Sequence, residues 1–137
     1  MSESPVKELR LALTSEDYVG ALRFYRDVLG LPVLSSWERE SGSGTILDAG
    51  RATLELLSPE QAEQIDKLEA GETGVSGPLR VALEVADSVE LAERLTAAGA
   101  EQLAIPVVTP WSDRNVRLRT PEGIQLTLFT PLEDDSS

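Results

Sequence analysis

The chain of 137 residues contains no cysteine and no histidine. Without cysteine there are no disulfides, thiolate metal sites, iron–sulfur clusters or cysteine nucleophiles. Without histidine there is no Ser-His-Asp triad, no imidazole acid–base chemistry and no metal site that depends on an imidazole. Carboxylates, Arg, Lys, Tyr and hydroxyls remain, and a metal would have to be a hard ion on oxygen ligands. Aromatics are scarce, with two each of Trp, Tyr and Phe. No apolar run reaches the length of a membrane span, and Met1–Glu8 has no basic, then apolar, leader pattern. Basic residues are outnumbered, 12 Lys+Arg against 24 Asp+Glu, giving a formal charge of −12. That sign disfavours nucleic acid and anionic membrane surfaces, and the expectation is a cytoplasmic protein.

What is present is organised. The length fits one domain with its own core. Leu9–Thr14 alternates as a strand, with Leu9, Leu11 and Leu13 on one face and Arg10, Ala12 and Thr14 on the other. Ser15 or Asp17 caps a helix predicted to reach about Leu29, on the spacing of Tyr18, Ala21, Leu22, Tyr25, Val28 and Leu29, with Gly30 closing it. Tyr18, Phe24 and Tyr25 on that helix are expected in the core or between modules. Strands are predicted at Val33–Glu38, Thr45–Ala49 and Ala52–Leu57, with Ser41–Gly44 as a turn. Ser58-Pro59 opens a second helix, with Gln61 at the capping-box position. Residues 71–78 read as a flexible connector. The pattern then restarts with a strand at Leu79–Val85, a helix capped by Asp87, and strands near Glu101–Ile105, Asn115–Arg119 and Ile124–Thr130.

The second half repeats the first. Arg10-Leu-Ala-Leu13 matches Arg80-Val-Ala-Leu83, and Leu54-Glu-Leu-Leu-Ser-Pro59 matches Leu126-Thr-Leu-Phe-Thr-Pro131. The boundaries are module one at about 8–57, linker helix and connector at 58–78, module two at about 79–131, and an acidic tail at 132–137. The fold class is α+β: two βαβββ modules forming a concave, cupped mixed sheet with helices on its outer face. The polar strand faces would line that concavity, which makes it the place for a ligand. The groove residues expected are Arg10, Ala12, Trp37, Glu55, Arg80, Glu84, Trp111, Arg117, Gln125 and Thr127, with Arg119 a further candidate. Each has a plainer reading: Glu84 paired with Arg80 or Arg117, the tryptophans as edge packing, Arg10–Glu55–Arg80 as a structural ion-pair cluster.

Asp17 followed by Phe24-Tyr-Arg-Asp-Val-Leu-Gly-Leu-Pro32, Pro78-Leu-Arg-Val-Ala-Leu-Glu-Val85, Ala97-Ala-Gly-Ala100, Pro110-Trp111 and Arg117-Leu-Arg-Thr-Pro-Glu-Gly-Ile-Gln-Leu126 resemble the vicinal oxygen chelate superfamily. This superfamily includes glyoxalase I, extradiol dioxygenases, and fosfomycin- and bleomycin-resistance proteins. The resemblance spans roughly residues 8–132. It implies a divalent ion held by the first and last strands of each module, usually through His and Glu. The matching positions here are Arg10, Glu55, Arg80 and Thr127, so one ligand of four is retained. Two guanidiniums beside a divalent ion would repel it. The expectation is therefore no metal, no cofactor, and a metal-independent protein that sequesters an antibiotic or metabolite. The alternatives are a lyase, isomerase or dioxygenase-like enzyme with an unusual oxygen-ligand site or no metal, and a partner protein whose groove its own side chains fill. Flanking guanidiniums are expected to depress the Glu55 pKa, making it a poor base. The global acidity would suit a cationic ligand, as in bleomycin-type binders, whereas the groove inventory of Arg10, Arg80, Arg117 and Arg119 points to an anionic or carbonyl-rich one, and local groups dominate contact energies. The resemblance implies a homodimer.

Overall fold

The computed structural model describes residues 4–73 and 77–132. The middle of the expected connector and all but the first residue of the acidic tail lie outside them, as does the start of the N-terminal segment.

Among the described residues the chain forms β1 (Val6–Thr14), α1 (Tyr18–Leu22, continuing as a π-helix over Arg23–Val28), β2 (Val33–Arg39), β3 (Gly42–Asp48), β4 (Thr53–Leu57) and α2 (Pro59–Ala70). Module two follows as β5 (Leu79–Val85), α3 (Ser88–Ala97), β6 (Glu101–Gln102), β7 (Val107–Val108), β8 (Asp113–Arg119) and β9 (Gln125–Pro131). The strands make one mixed sheet in the order β2-β3-β4-β1-β5-β9-β8-β6, with β7 also on β8. Each module has the same parallel pair, β1 with β4 and β5 with β9. The modules join within one chain through antiparallel β1–β5 pairing, Arg10 opposite Ala82 and Ala12 opposite Arg80. The duplicated motif thus meets itself about a local two-fold.

The convex side of module two is built as its alternation predicts. Val85, Ala92, Val116, Leu118, Leu126 and Leu128 form a buried cluster against which Val89, Leu91 and Leu95 of α3 pack. Asp87 caps α3 by accepting from the Glu90 amide at 3.1 Å. Module one differs. Asp17 caps α1 through the Gly20 amide, but after Leu22 the winding widens, and the Leu29 amide bonds the Phe24 carbonyl five residues back. The wider turn shifts the phase of the 3.6-residue pattern. Tyr18, Ala21, Leu22 and Tyr25 stay half-buried, whereas Val28 and Leu29, expected on the same face, are exposed. Phe24 is also exposed, with its ring edge-on to Tyr25, so it is not a core residue.

Two further expectations need correction. The β2–β3 turn is Glu40-Ser41, and the following glycines lie inside β3. A Cβ on Gly42 (φ 124°) would collide with the Gln61 backbone, and one on Gly44 with the Trp37 ring. These glycines are needed for close approach rather than for turning. Gln61 does not fold back onto its cap; its Oε1 accepts from Trp37 Nε1 at 2.9 Å. Ser58 does cap α2, accepting from the Gln61 amide and also from Ser43 N.

The placement of α2 matters most for function. It lies over the concave face rather than outside it. Ile65 packs on Ala12 and Leu57 with Trp37 against them, and Asp66 and Glu69 reach β8.

Candidate functional site

Strand register explains how four distant residues converge. Ala12 sits between Glu55 on β4 and Arg80 on β5. Ala82 sits between Arg10 on β1 and Thr127 on β9. Small side chains at the two inner positions leave the floor low, and the four long or polar ones close over it. The result is a cavity of about 250 Å³ lined by Arg10, Glu55, Arg80, Ala82, Thr127 and Phe129, with Trp37 and Trp111 on its walls. Arg39, Ile46, Glu69, Asp113 and Asn115 also face it.

The cations are anchored from behind. Arg10 Nη2 bonds Glu8 Oε2 at 2.9 Å, Thr53 donates to that same oxygen, and the guanidinium carbon lies 5.2 Å from the Phe129 ring centroid. Arg80 Nη1 donates to Thr127 Oγ1 at 2.8 Å. Glu55 stands between them, its oxygens 3.9 Å from Arg10 Nη1 and 3.8 Å from Arg80 Nη2. These are charge contacts too long for hydrogen bonds. Burial pushes the Glu55 carboxyl up from its ordinary value, and the charges of Arg80 and Arg10 oppose that rise without cancelling it. The expected depression by flanking guanidiniums is therefore corrected, because desolvation outweighs two attractions that are not hydrogen bonds. Asp113 is likewise raised by burial, against the pull of Arg10 and a hydrogen bond from Trp111.

Of the ten groove residues expected, Arg10, Trp37, Glu55, Arg80, Trp111 and Thr127 line the cavity. The other four do not, and α2 accounts for three of them. Ala12 is covered by Ile65, beside a void too small for a water molecule. Arg117 is fully buried, bonding Asp66 Oδ1 at 3.0 Å and Glu69 Oε1 at 2.7 Å. Gln125 is held beneath that pair, accepting from Arg117 Nη1 at 3.3 Å. Glu84 sits one step too far along β5, opposite Glu8 and Phe129, and pairs with neither Arg80 nor Arg117 among the described residues. Arg119 meets Glu101 at the surface, 3.1 Å away.

Residues 9–128 match the family model of the Glyoxalase/Bleomycin resistance protein/Dioxygenase superfamily. The chain belongs to that superfamily. Solved structures share the superfamily fold at low identity. A hypothetical protein from Bacillus halodurans C-125 superposes with a TM-score of 0.71 at 17% identity, covering 98% of this chain and all of its own. Methylmalonyl-CoA epimerase from Mycobacterium tuberculosis gives 0.68 at 18%, covering 97% and 93%. The Streptomyces coelicolor enzyme of that name gives 0.66 at 21%, covering 95% and 100%. Among curated sequences, GTPase Der from Nitrobacter winogradskyi is 32% identical over 118 residues, 77% of this chain. The chain spans only 25% of that protein's length. It also has no Gly-x-x-x-x-Gly-Lys-Ser/Thr phosphate loop, so nothing about GTP carries over.

The superfamily's metal arrangement can be tested on the donor set. Arg10 and Arg80 have no lone pair to give, which leaves one carboxylate and one hydroxyl at the four convergent positions. No group of three or more His, Cys, Asp or Glu suited to a metal occurs among the described residues. The side chains at the centre do not fit a divalent ion. They fit a ligand that accepts hydrogen bonds from a guanidinium fork.

Proposed function

We propose that this chain is a metal-independent small-molecule-binding member of the superfamily, sequestering an anionic or carbonyl-rich metabolite or antibiotic. The observation that carries this reading is the replacement of two of the four convergent positions by anchored guanidiniums facing an open cavity. Trp37, Trp111 and Phe129 supply flat apolar walls beside those charges, the combination expected of a pocket that orients one polar group on a planar body. A thermal-shift screen of small carboxylates and carbonyl compounds in the presence of a chelator tests it. Hits should stabilise the native chain equally with and without chelator and lose their effect in Arg80→Met. Stabilisation that requires a divalent ion would overturn the reading.

The raised Glu55 carboxyl favours one second reading, a metal-free lyase or isomerase in which Glu55 exchanges a proton with bound substrate. Solvent deuterium appearing in a bound carbon acid, and its loss in Glu55→Gln, would select that reading over sequestration.

A further inference from the structure

The cavity has a second polar feature with the opposite demand. Asn115, on β8, is 5% exposed and faces the cavity. Its Nδ2 donates to Glu69 Oε2 at 2.8 Å. A carboxylate only accepts, so the amide orientation is fixed, with the NH₂ toward Glu69 and the carbonyl turned away. Among the described residues, Asn115 Oδ1 is buried and has no hydrogen-bond partner. It is an acceptor held rigidly without a donor, since Glu69 is itself locked by Arg117 at 2.7 Å. Two residues along the same strand face, Asp113 places another acceptor on the cavity wall. Arg10, whose guanidinium lies over the ring of Asn115's cross-strand neighbour Phe129, and Arg80 present donors to the same cavity.

Resting on the small-molecule reading above, we infer that the ligand class is a planar cyclic amide or ureide. Its ring carbonyl would meet the Arg10–Arg80 side, and its ring N–H would donate to Asn115 Oδ1. A simple anion satisfies the guanidiniums but leaves the Asn115 carbonyl buried and unpaired, a cost that a neighbouring N–H removes. A flat ring carrying both groups would satisfy the guanidinium donors and the Asn115 acceptor within the cavity that Trp37 and Trp111 line.

The two tryptophans provide the readout, because the full chain has only these two indole N–H groups and both line the cavity. The ¹⁵N-labelled chain is titrated with hydantoin, with 1,3-dimethylhydantoin, which keeps both carbonyls but has no N–H, and with benzoate, which only accepts. Hydantoin should shift both indole signals saturably, and the dimethyl compound should bind at least about tenfold more weakly, the loss of one buried hydrogen bond. In Asn115→Leu the two hydantoins should bind within about twofold of each other. Equal binding of both hydantoins by the native chain, or binding of benzoate alone, would overturn the donor subsite and leave the small-molecule reading standing. If none of the three probes moves either indole, both fall. Should Asn115→Leu fail to fold, the comparison of the two hydantoins on the native chain decides alone.

Discussion

Glu55 is the residue on which several properties turn. It is ionisable and largely buried, and its cationic neighbours stand too far off to hydrogen-bond. Its folded-state pKa lies above the ordinary value of 4.5, so the folded chain holds this proton more tightly than the unfolded chain does. Relative to Glu55→Gln, the native chain should therefore gain stability as pH falls through the raised value toward 4.5, and lose it as pH rises again. The change is at most about 1.4 kcal/mol per pH unit. Parallel thermal melts of the two proteins between pH 4.5 and 7.5 measure it, and a pH-independent difference would show that Glu55 is not desolvated. The positions of Arg10, Glu55, Arg80 and Thr127 were legible from strand parity and the internal repeat. The direction of the Glu55 shift was not, because it depends on distances and burial that sequence does not carry. Asn115 was missed because sequence places it only on a polar strand face, and its unpaired oxygen is visible only once Glu69 has fixed the amide.

At the scale of elements, α2 decides which part of the sheet stays open. Its Gln61, Ile65, Asp66 and Glu69 are all buried, a mixed face that suits neither solvent nor an apolar core. That face finds partners on the concave sheet: Trp37 for Gln61, Ala12 and Leu57 for Ile65, Arg117 for both acids. The pattern was present in the sequence as polar residues at helical spacing, facing a strand rich in Arg. The sequence does not say which face of the sheet a connecting helix covers, since that depends on the path of the chain between the modules. Arg117→Met leaves two carboxylates buried without their countercharge and should cost about 3–5 kcal/mol in urea denaturation. A cost within about 0.5 kcal/mol, the range of ordinary surface substitutions, would mean that the pair does not hold α2 to β8. The π-wound end of α1 shows the same limit, since apolar spacing found the helix but not the change of winding that exposes Val28 and Leu29.

For the whole molecule, the repeat and the mixed sheet were readable in advance, because period-two alternation, cap residues and duplicated motifs are local signals. Which module edge meets which is not local. β1 joins β5 inside one chain, and α2 then crosses from module one to β8 of module two, so the halves share both a sheet and a buried ion pair. They should unfold together. Trp37→Phe leaves the single tryptophan Trp111 in module two and Trp111→Phe leaves Trp37 in module one, and their urea transitions should coincide with each other and with loss of far-ultraviolet dichroism. Separated midpoints would show two independent units. The central claim is that the superfamily's convergent site has exchanged a metal for guanidiniums, and calorimetric titration with Mn²⁺, Ni²⁺ and Zn²⁺ tests it most directly. The expected result is no saturable heat from any of the three ions. One equivalent of metal bound per chain, with the binding abolished in Glu55→Ala, would contradict the claim.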